Sequence, residues 1–184
     1  NNAGGTLALL GAMARHGVGA IVVSSTCATY GTAAGETLSE TDIQAPVNAY
    51  GRSKLAMEHM LADLGAASDL RSVAFRYFNA AGADPDREIG EDHRPETHLV
   101  PLVLDAISGR RGEISVFGTD YPTPDGTCIR DYVHVSDLAR AHVLGLEHLL
   151  AGGESLALNL GSGHGHSVRE VIRAAETVTG RVAP

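Results

Sequence analysis

Short apolar runs that suit buried strands alternate along this chain with longer segments of helical periodicity. The strand-like runs cover residues 19–25, 71–78 and 156–160, with a shorter one over residues 114–117. The helical segments cover residues 6–15, 49–66, 98–109 and 136–150, and a further helix begins after Ser167. Strands and helices alternating at this spacing predict an α/β fold with a largely parallel sheet. We expect only three central strands, which is a partial sheet.

Charge and composition exclude several classes of function. The 184 residues include 14 Lys and Arg and 22 Asp and Glu, which gives a formal net charge of -8. This balance disfavours nucleic acid and anionic membranes as partners, because both bind basic surfaces. No apolar run approaches the ~20 residues of a membrane span, and no secretory signal is recognisable. The two cysteines and nine scattered histidines show no metal-ligand spacing, so we expect no metal site.

Tyr50 and Lys54 are four residues apart on the predicted helix 49–66, so they share one face of it. Lys54 is also the only lysine in a chain with 13 arginines. An ammonium beside a phenol stabilises the phenolate and lowers the tyrosine pKa. Such a tyrosine can act as a general base on an alcohol. Two unrelated surface residues would give the same spacing.

Hydroxyl and amide side chains follow the predicted strands. Ser24, Ser25 and Thr26 end the strand at 19–25, and Asn79 follows the next strand. Ligands of open α/β sheets bind beyond the carboxyl ends of the strands, so these groups could orient a substrate alcohol. Ser and Thr are also common in ordinary turns.

Two further features could bind phosphate. Arg130 has the planar guanidinium that suits a diphosphate, although an ion pair with Asp131 is an equal reading of the spacing. The glycine-rich stretch 161–165 does not match the GxGxxG fingerprint of dinucleotide sites. We interpret it as a strand-to-helix turn. The residues therefore provide candidate catalytic groups without a dinucleotide fingerprint.

Six segments, in one order along the chain, resemble the extended short-chain dehydrogenase/reductase family. Within that family they are similar to the epimerases of nucleotide sugars. The segments are SSTCATYG at 24–31, NAYGRSK at 48–54, RYFNAAGAD at 76–84, GEDHRPETHLVP at 90–101, FGTDYPTPDGTCIRDYVHVSDLARAH at 117–142 and NLGSGHGHSV at 159–168. The segment at 117–142 is the most specific, whereas the YxxxK spacing identifies only the superfamily.

The resemblance implies a partial Rossmann-like, doubly wound parallel sheet and part of a smaller C-terminal substrate-binding domain. Residues 1–80 would be the C-terminal part of the NAD-binding domain. Residues 81–184 would mostly form the UDP-sugar domain, with the strand near 156–160 returning to the Rossmann sheet. The family's glycine-rich loop would precede Asn1 and its uridine pocket would be completed after Pro184. We therefore expect an internal piece, truncated at both ends and inactive alone.

The resemblance also implies roles for single residues. Tyr50 resembles the family's catalytic base, Lys54 its partner that also contacts the nicotinamide ribose, and Thr26 the catalytic hydroxyl. The implied NAD contacts are Asn1, Thr26, Tyr50, Lys54 and Phe78. The implied UDP-sugar contacts are Thr26, Asn79, His98, Leu99, Ser115, Val116, Phe117 and Arg130.

The activity implied is the reversible, NAD-dependent C4 epimerisation of a UDP-hexose, UDP-glucose or UDP-galactose, through a 4-keto sugar. Epimerases of UDP-xylose and UDP-arabinose or of UDP-N-acetylglucosamine are the nearest alternatives. A nucleotide-sugar 4,6-dehydratase would carry an Asp-Glu pair after Thr26, where this chain has Cys27 and Ala28. A non-catalytic NAD-binding relative would not need Thr26, Tyr50 and Lys54 together. The resemblance further implies a homodimer in the cytoplasm.

Overall fold

A computed structural model describes residues 2–32, 35, 37–86 and 88–184 of the chain. Its helices are α1 Asn2–His16, a short 3-10 helix Cys27–Thr29, α2 Ala49–Ala67, α3 Leu99–Ile107, α4 Val135–Leu150 and α5 Val168–Thr179. Its strands are β1 Ala20–Thr26, β2 Arg71–Tyr77, β3 Asn79–Ala81, β4 Ile129–His134, β5 Leu156–Leu160 and β6 Gly165–Ser167. The chain divides into two compact units, Asn1–Ala80 with Ser136–Gly161 and Ala81–Val135 with Ser162–Pro184. The predicted α/β class is confirmed.

The first unit is built on a parallel sheet with the strand order β1-β2-β5. Thr26 pairs with Tyr77, and Tyr77 pairs with Leu160, so the three strands end together. The carboxyl ends of the strands therefore form one edge, where ligands of such sheets bind. Among the described residues, this sheet has the three strands that the sequence predicts.

Helices cover both faces of this sheet, as a doubly wound fold requires. On one face, α1 and α2 bury an apolar cluster formed by Leu10, Met13, Met57, Leu61 and Leu70. On the other face, α4 contributes Leu149 to a cluster with Val73 and Phe75 of β2. Successive strand residues point to opposite faces, so β2 turns Val73 and Phe75 to the α4 side and presents Arg76 to the α2 side. Packing on α2 thus fixes the helix that carries Tyr50 and Lys54.

The second unit contains α3, the antiparallel pair β4–β6 and α5. Ser167 caps α5 by accepting a hydrogen bond from Glu170 N at 3.1 Å, and the Glu170 side chain returns a bond to Ser167 N at 2.8 Å. This confirms the predicted capping box. The Asp131 carboxylate accepts bonds from Ser162 N and Gly163 N, which closes the glycine-rich turn.

Several predicted elements differ from the structure. Residues 114–117 are not a strand, because a strand needs a repeating ladder, and the backbone bond recorded here is the single one from Ile114 N to Pro184 O. The short strands β3, β4 and β6 were not predicted. The predicted N-cap Ser136 lies inside α4, which follows β4 directly at Val135. Nowhere in the described part of the chain is a helix long and apolar enough to cross a membrane.

Candidate active site

The site begins where β1 ends. Thr26 has extended backbone angles and caps the 3-10 helix, and its Oγ1 accepts a hydrogen bond from Ala28 N at 3.2 Å. Thr29 Oγ1 donates a bond to Thr26 O at 2.9 Å, and both residues are buried. The Thr26 hydroxyl is therefore held at the carboxyl edge of the sheet by its own turn.

The first turn of α2 brings Tyr50 to the same edge. Asn48 is the N-cap, and its side chain accepts a bond from Gly51 N at 2.7 Å. Tyr50 is bonded through its hydroxyl to the Thr26 side chain, yet 52% of the residue is exposed. One of the strand-end hydroxyls, that of Thr26, thus lies beside the tyrosine of the predicted helix.

Lys54 lies one turn further along α2, on the side that faces β1. Its Nζ donates a hydrogen bond to Ser24 O at 2.8 Å and lies 5.9 Å from the centroid of the Tyr50 ring. Burial lowers the pKa of Lys54 below its ordinary value. The predicted shared face of Tyr50 and Lys54 is present.

The predicted electrostatic effect on Tyr50 is wrong for this structure. Burial raises the pKa of Tyr50 above its ordinary value and outweighs the hydrogen bond with Thr26, which lowers it. The neighbouring Tyr77 and Cys27 add to the rise. The ammonium of Lys54 is bonded to Ser24 O rather than to the phenol, so here it does not offset burial.

Gly51, next to Tyr50, allows α2 to approach the 3-10 helix closely. A Cβ at this position would lie 2.3 Å from Ala28 O and 2.9 Å from Pro46 Cβ. Gly51→Ala should therefore push the first turn of α2 outward, at a cost of about 1–3 kcal/mol in the free energy of unfolding. Displacing Tyr50 by about 1 Å should also lower turnover of the full-length protein by up to ~10²-fold.

The matched control is Gly5→Ala in α1, where an added Cβ has nothing within 4 Å. We expect it to leave both quantities unchanged or to stabilise the helix slightly. Denaturant unfolding and steady-state turnover measure the two effects. Wild-type behaviour of Gly51→Ala would contradict the close approach.

A buried ion pair lies beneath the site and was missed by sequence reasoning. Arg76 Nη2 lies 2.7 Å from Glu58 Oε2, and each side chain is only 8% exposed. The Glu58 carboxylate also accepts hydrogen bonds from Ser25 Oγ and, at 3.1 Å, from Gln44 Nε2. The available signal was Glu58 four residues after Lys54, on the same helix face.

The other two residues predicted to contact NAD are Asn1 and Phe78, and Asn79 is a predicted sugar contact. Asn1 is outside the described residues. Phe78 follows β2 and is half-buried, and Asn79 begins β3. Their contacts with ligands stay predictions.

The second unit holds the remaining predicted sugar contacts. His98 ends the loop before α3, Leu99 begins that helix, and Arg130 is exposed on β4. Ser115, Val116 and Phe117 lie in the irregular segment that was predicted as a strand, and Phe117 is 86% exposed. Nothing in the structure tests their binding roles.

Four side chains of the loop before α3 form a group that the sequence analysis did not anticipate. Single ligand atoms of Glu91, His93, Glu96 and His98 all lie within 4.8 Å of one another. Such a donor set can bind a divalent metal. The four groups also satisfy one another, since His98 Nδ1 lies 2.7 Å from Glu91 and 2.9 Å from Glu96.

Known proteins resemble this chain over its whole length. A sequence model of the NAD dependent epimerase/dehydratase family matches residues 1–161. A UDP-glucose 4-epimerase of Rhizobium leguminosarum bv. trifolii is 55% identical over 184 residues, which are 100% of this chain and 56% of that protein. The chain therefore spans about half the length of the curated relatives that it matches.

Solved structures give the same result. The crystal structure of UDP-glucose 4-epimerase from Brucella ovis in complex with NAD matches with a TM-score of 0.97 and 54% identity, over 100% of this chain and 57% of that one. UDP-glucose-4-epimerase from Stenotrophomonas maltophila, with bound NAD and formylated UDP-arabinopyranose, matches with a TM-score of 0.95 and 45% identity, over 100% and 55%. The predicted Rossmann-like fold is confirmed.

Proposed function

Because the chain belongs to the NAD dependent epimerase/dehydratase family, we propose that the full-length protein catalyses the NAD-dependent, reversible C4 epimerisation of a UDP-hexose. UDP-glucose and UDP-galactose are the proposed pair. The observation that carries this proposal is the grouping of Thr26, Tyr50 and Lys54 at the carboxyl end of β1. UDP-glucose 4-epimerases at about 55% identity support the reaction type.

The residues at this edge fit the chemistry of a nicotinamide dinucleotide. Lys54 offers an ammonium and Tyr50 a hydroxyl beside each other, and such donors suit the hydroxyls of a ribose. The location is the edge where dinucleotides bind in doubly wound sheets. When bound, NAD supplies the hydride acceptor and donor for the sugar carbon. Asn1 and Phe78 are proposed as further contacts.

Each residue of the group then has one task. Tyr50 removes the proton from the sugar 4-hydroxyl and later returns it, since about half of the residue is exposed. Thr26 orients that alcohol, because its Oγ1 is fixed by the turn after β1. Lys54 stabilises the phenolate when it forms in the reaction, since its Nζ lies 5.9 Å from the centroid of the Tyr50 ring, although in this structure it donates to Ser24 O.

We propose the second unit's residues as contacts of the UDP-sugar. Arg130 carries an exposed guanidinium, which suits a diphosphate, and the exposed ring of Phe117 suits contact with an apolar or aromatic group. The remaining proposed contacts are Asn79, His98, Leu99, Ser115 and Val116. Residues 1–80 with the strand at 156–160 would serve NAD, and most of residues 81–135 and 162–184 the sugar nucleotide.

Assembly and location are also part of the proposal. A homodimer follows only from the resemblance to the family. A cytoplasmic location follows from the proposed nucleotide-sugar substrate. Inactivity of the isolated 184 residues also stays a prediction.

A UDP-pentose is the second candidate substrate. The Stenotrophomonas maltophila relative, 45% identical, was crystallised with formylated UDP-arabinopyranose. A pocket that accepts a pentose derivative in a close relative favours a test of UDP-xylose and UDP-arabinose beside the hexoses.

The deciding experiment assays the purified full-length protein, without added NAD, against UDP-galactose, UDP-xylose and UDP-N-acetylgalactosamine. We expect formation of UDP-glucose, which would also show that the cofactor is retained. Relative rates would identify the preferred sugar. If NAD is bound and none of the three is converted, the reaction assignment is wrong although the fold is right.

A further inference from the structure

We propose that Glu58 is a positioning residue, which ties α2 to the end of β1 and so places Lys54 at Ser24 and Tyr50 at Thr26. The catalytic meaning of this placement rests on the function proposed above. Glu58 touches neither of the two residues' reactive atoms in the recorded contacts. Its effect would be transmitted through the helix and the strand.

The link from Glu58 to β1 is direct. Lys54 and Glu58 are four residues apart on α2 and therefore share the face that packs on the sheet. Lys54 Nζ donates to Ser24 O at 2.8 Å, and the next strand residue, Ser25, donates its Oγ hydrogen to Glu58 Oε1. Two consecutive residues of β1 are thus held by two consecutive turns of one helix.

The opposite face of β1 is held as well. Side chains alternate along a strand, so Ser24 points away from α2 and its Oγ lies 3.2 Å from His142 Nε2 of α4. His142 Nδ1 lies 2.8 Å from Leu138 O, an acceptor only. Nδ1 must therefore carry the proton, and Nε2 accepts the hydrogen of Ser24. Ser24 is therefore held by α2 through its backbone carbonyl, which accepts from Lys54, and by α4 through its side chain.

Arg76 of β2 holds the Glu58 carboxylate in place. Its Nε lies 3.2 and 3.1 Å from the two carboxylate oxygens, and its Nη1 donates to Tyr30 OH at 2.9 Å. Tyr30 OH in turn donates to Asn159 Oδ1 of β5 at 2.7 Å. All three strands of the sheet are joined to α2 by this network.

Burying the charges of Glu58 and Arg76 carries a cost in desolvation free energy. Replacing a buried ion pair by well-packed apolar residues is often neutral or stabilising. In this chain, however, the buried Glu58 carboxylate accepts hydrogen bonds from Ser25, Gln44 and Arg76. These bonds fix the direction of the side chain, whereas the contacts of an apolar pair would not. Geometry at the end of β1, rather than stability, is what the charged pair provides.

The test compares Glu58→Gln and the charge-neutral double variant Glu58→Gln/Arg76→Met in the full-length protein. Both should lower kcat about 10- to 100-fold, in line with small misplacements of catalytic groups. The KM for UDP-galactose should stay within about twofold, because no substrate contact is removed. Asp105→Asn, which breaks the exposed pair of Asp105 and Arg110, is the matched control and should change neither constant.

The pH profile separates positioning from a merely structural role. The titratable and polar groups around the Tyr50 side chain are Thr26 at the end of β1, Cys27 after it, Tyr77 on β2, and Lys54 on its own helix. Loss of the Glu58 charge alone would lower the pKa of Tyr50. Displacement of Tyr50 from Thr26 would remove the hydrogen bond that lowers its pKa and would therefore raise that pKa, so we expect the acid limb of kcat to move to higher pH in both variants.

A titration of the Tyr50 phenolate by ultraviolet absorbance, with Tyr50→Phe subtracted, gives the same information without turnover. It therefore stays decisive if the wild type fails to epimerise UDP-sugars, which would refute only the proposed function. The double variant keeps the test open if Glu58→Gln alone does not fold. A folded double variant with unchanged kcat and an unmoved titration would overturn the positioning role.

Discussion

Tyr50→Phe in the full-length protein should lower kcat for UDP-galactose by about 10²–10⁴-fold, the usual contribution of a positioned general base. The substitution removes only the hydroxyl, whose recorded partner is the Thr26 side chain. Since half of Tyr50 is exposed, the loss of this atom should leave the fold intact. Steady-state kinetics at saturating substrate measure the effect.

Tyr121→Phe is the matched control, because Tyr121 is comparably exposed, at 46%, and belongs to the second unit. It should retain wild-type kcat. If Tyr50→Phe kept more than about a tenth of the activity, a second base or a non-catalytic role for the tyrosine would have to be considered. Retained binding of NAD by the variant would show that the loss is chemical.

The sequence predicts the first unit well because its elements are long and periodic. β1 begins with an apolar run from Ala20 to Val23, and α2 shows a regular apolar face with Asn48 as its cap. Ligands bind beyond the carboxyl end of such a strand, and the spacing of four residues puts Tyr50 and Lys54 on one face of the helix. The proposed catalytic group can therefore be predicted from local patterns.

The second unit is predicted less well because its strands are short and depend on partners far away in sequence. β6 has three residues and is defined by pairing with β4, more than 30 positions earlier, such as Asp131 with Gly165. Residues 114–117 have strand-like composition but lack such a ladder. The composition of a segment shows only that it is compatible with a strand, whereas a strand forms only where a partner strand is present.

The same limit applies to the chemistry of the site. The pKa of Tyr50 depends on burial and on which atom receives Lys54, and neither follows from a spacing of four residues. The ion pair of Glu58 and Arg76 joins residues 18 apart on a helix and a strand. Only the three-dimensional structure shows that these two charges are buried together.

Arg76→Met should destabilise the full-length protein by about 3–5 kcal/mol at neutral pH, because it leaves the Glu58 carboxylate buried without its counter-ion. In the wild type, burial acts to raise the pKa of Glu58, but the hydrogen bonds from Arg76, Ser25 and Gln44 outweigh it and hold the pKa below its ordinary value. Without Arg76, burial should prevail and the pKa should rise.

The ionisation of Glu58 should therefore change the free energy of unfolding of the wild type and of Arg76→Met in opposite directions as the pH falls. A carboxyl group with a lowered pKa stabilises the fold at neutral pH, and this contribution is lost as the pH falls through the folded-state pKa. With a raised pKa, Glu58 instead becomes protonated as the pH falls, and the penalty for its burial is relieved. The difference in the free energy of unfolding between the wild type and Arg76→Met should thus narrow in mild acid, as measured by denaturant unfolding across the pH range.

The matched control is Arg110→Met, which breaks an exposed pair with Asp105 and should cost less than about 1 kcal/mol at every pH. A difference between the wild type and Arg76→Met that is constant or widens in acid would mean that Glu58 is solvated once Arg76 is gone, and that the pair does not lie in the buried setting described here.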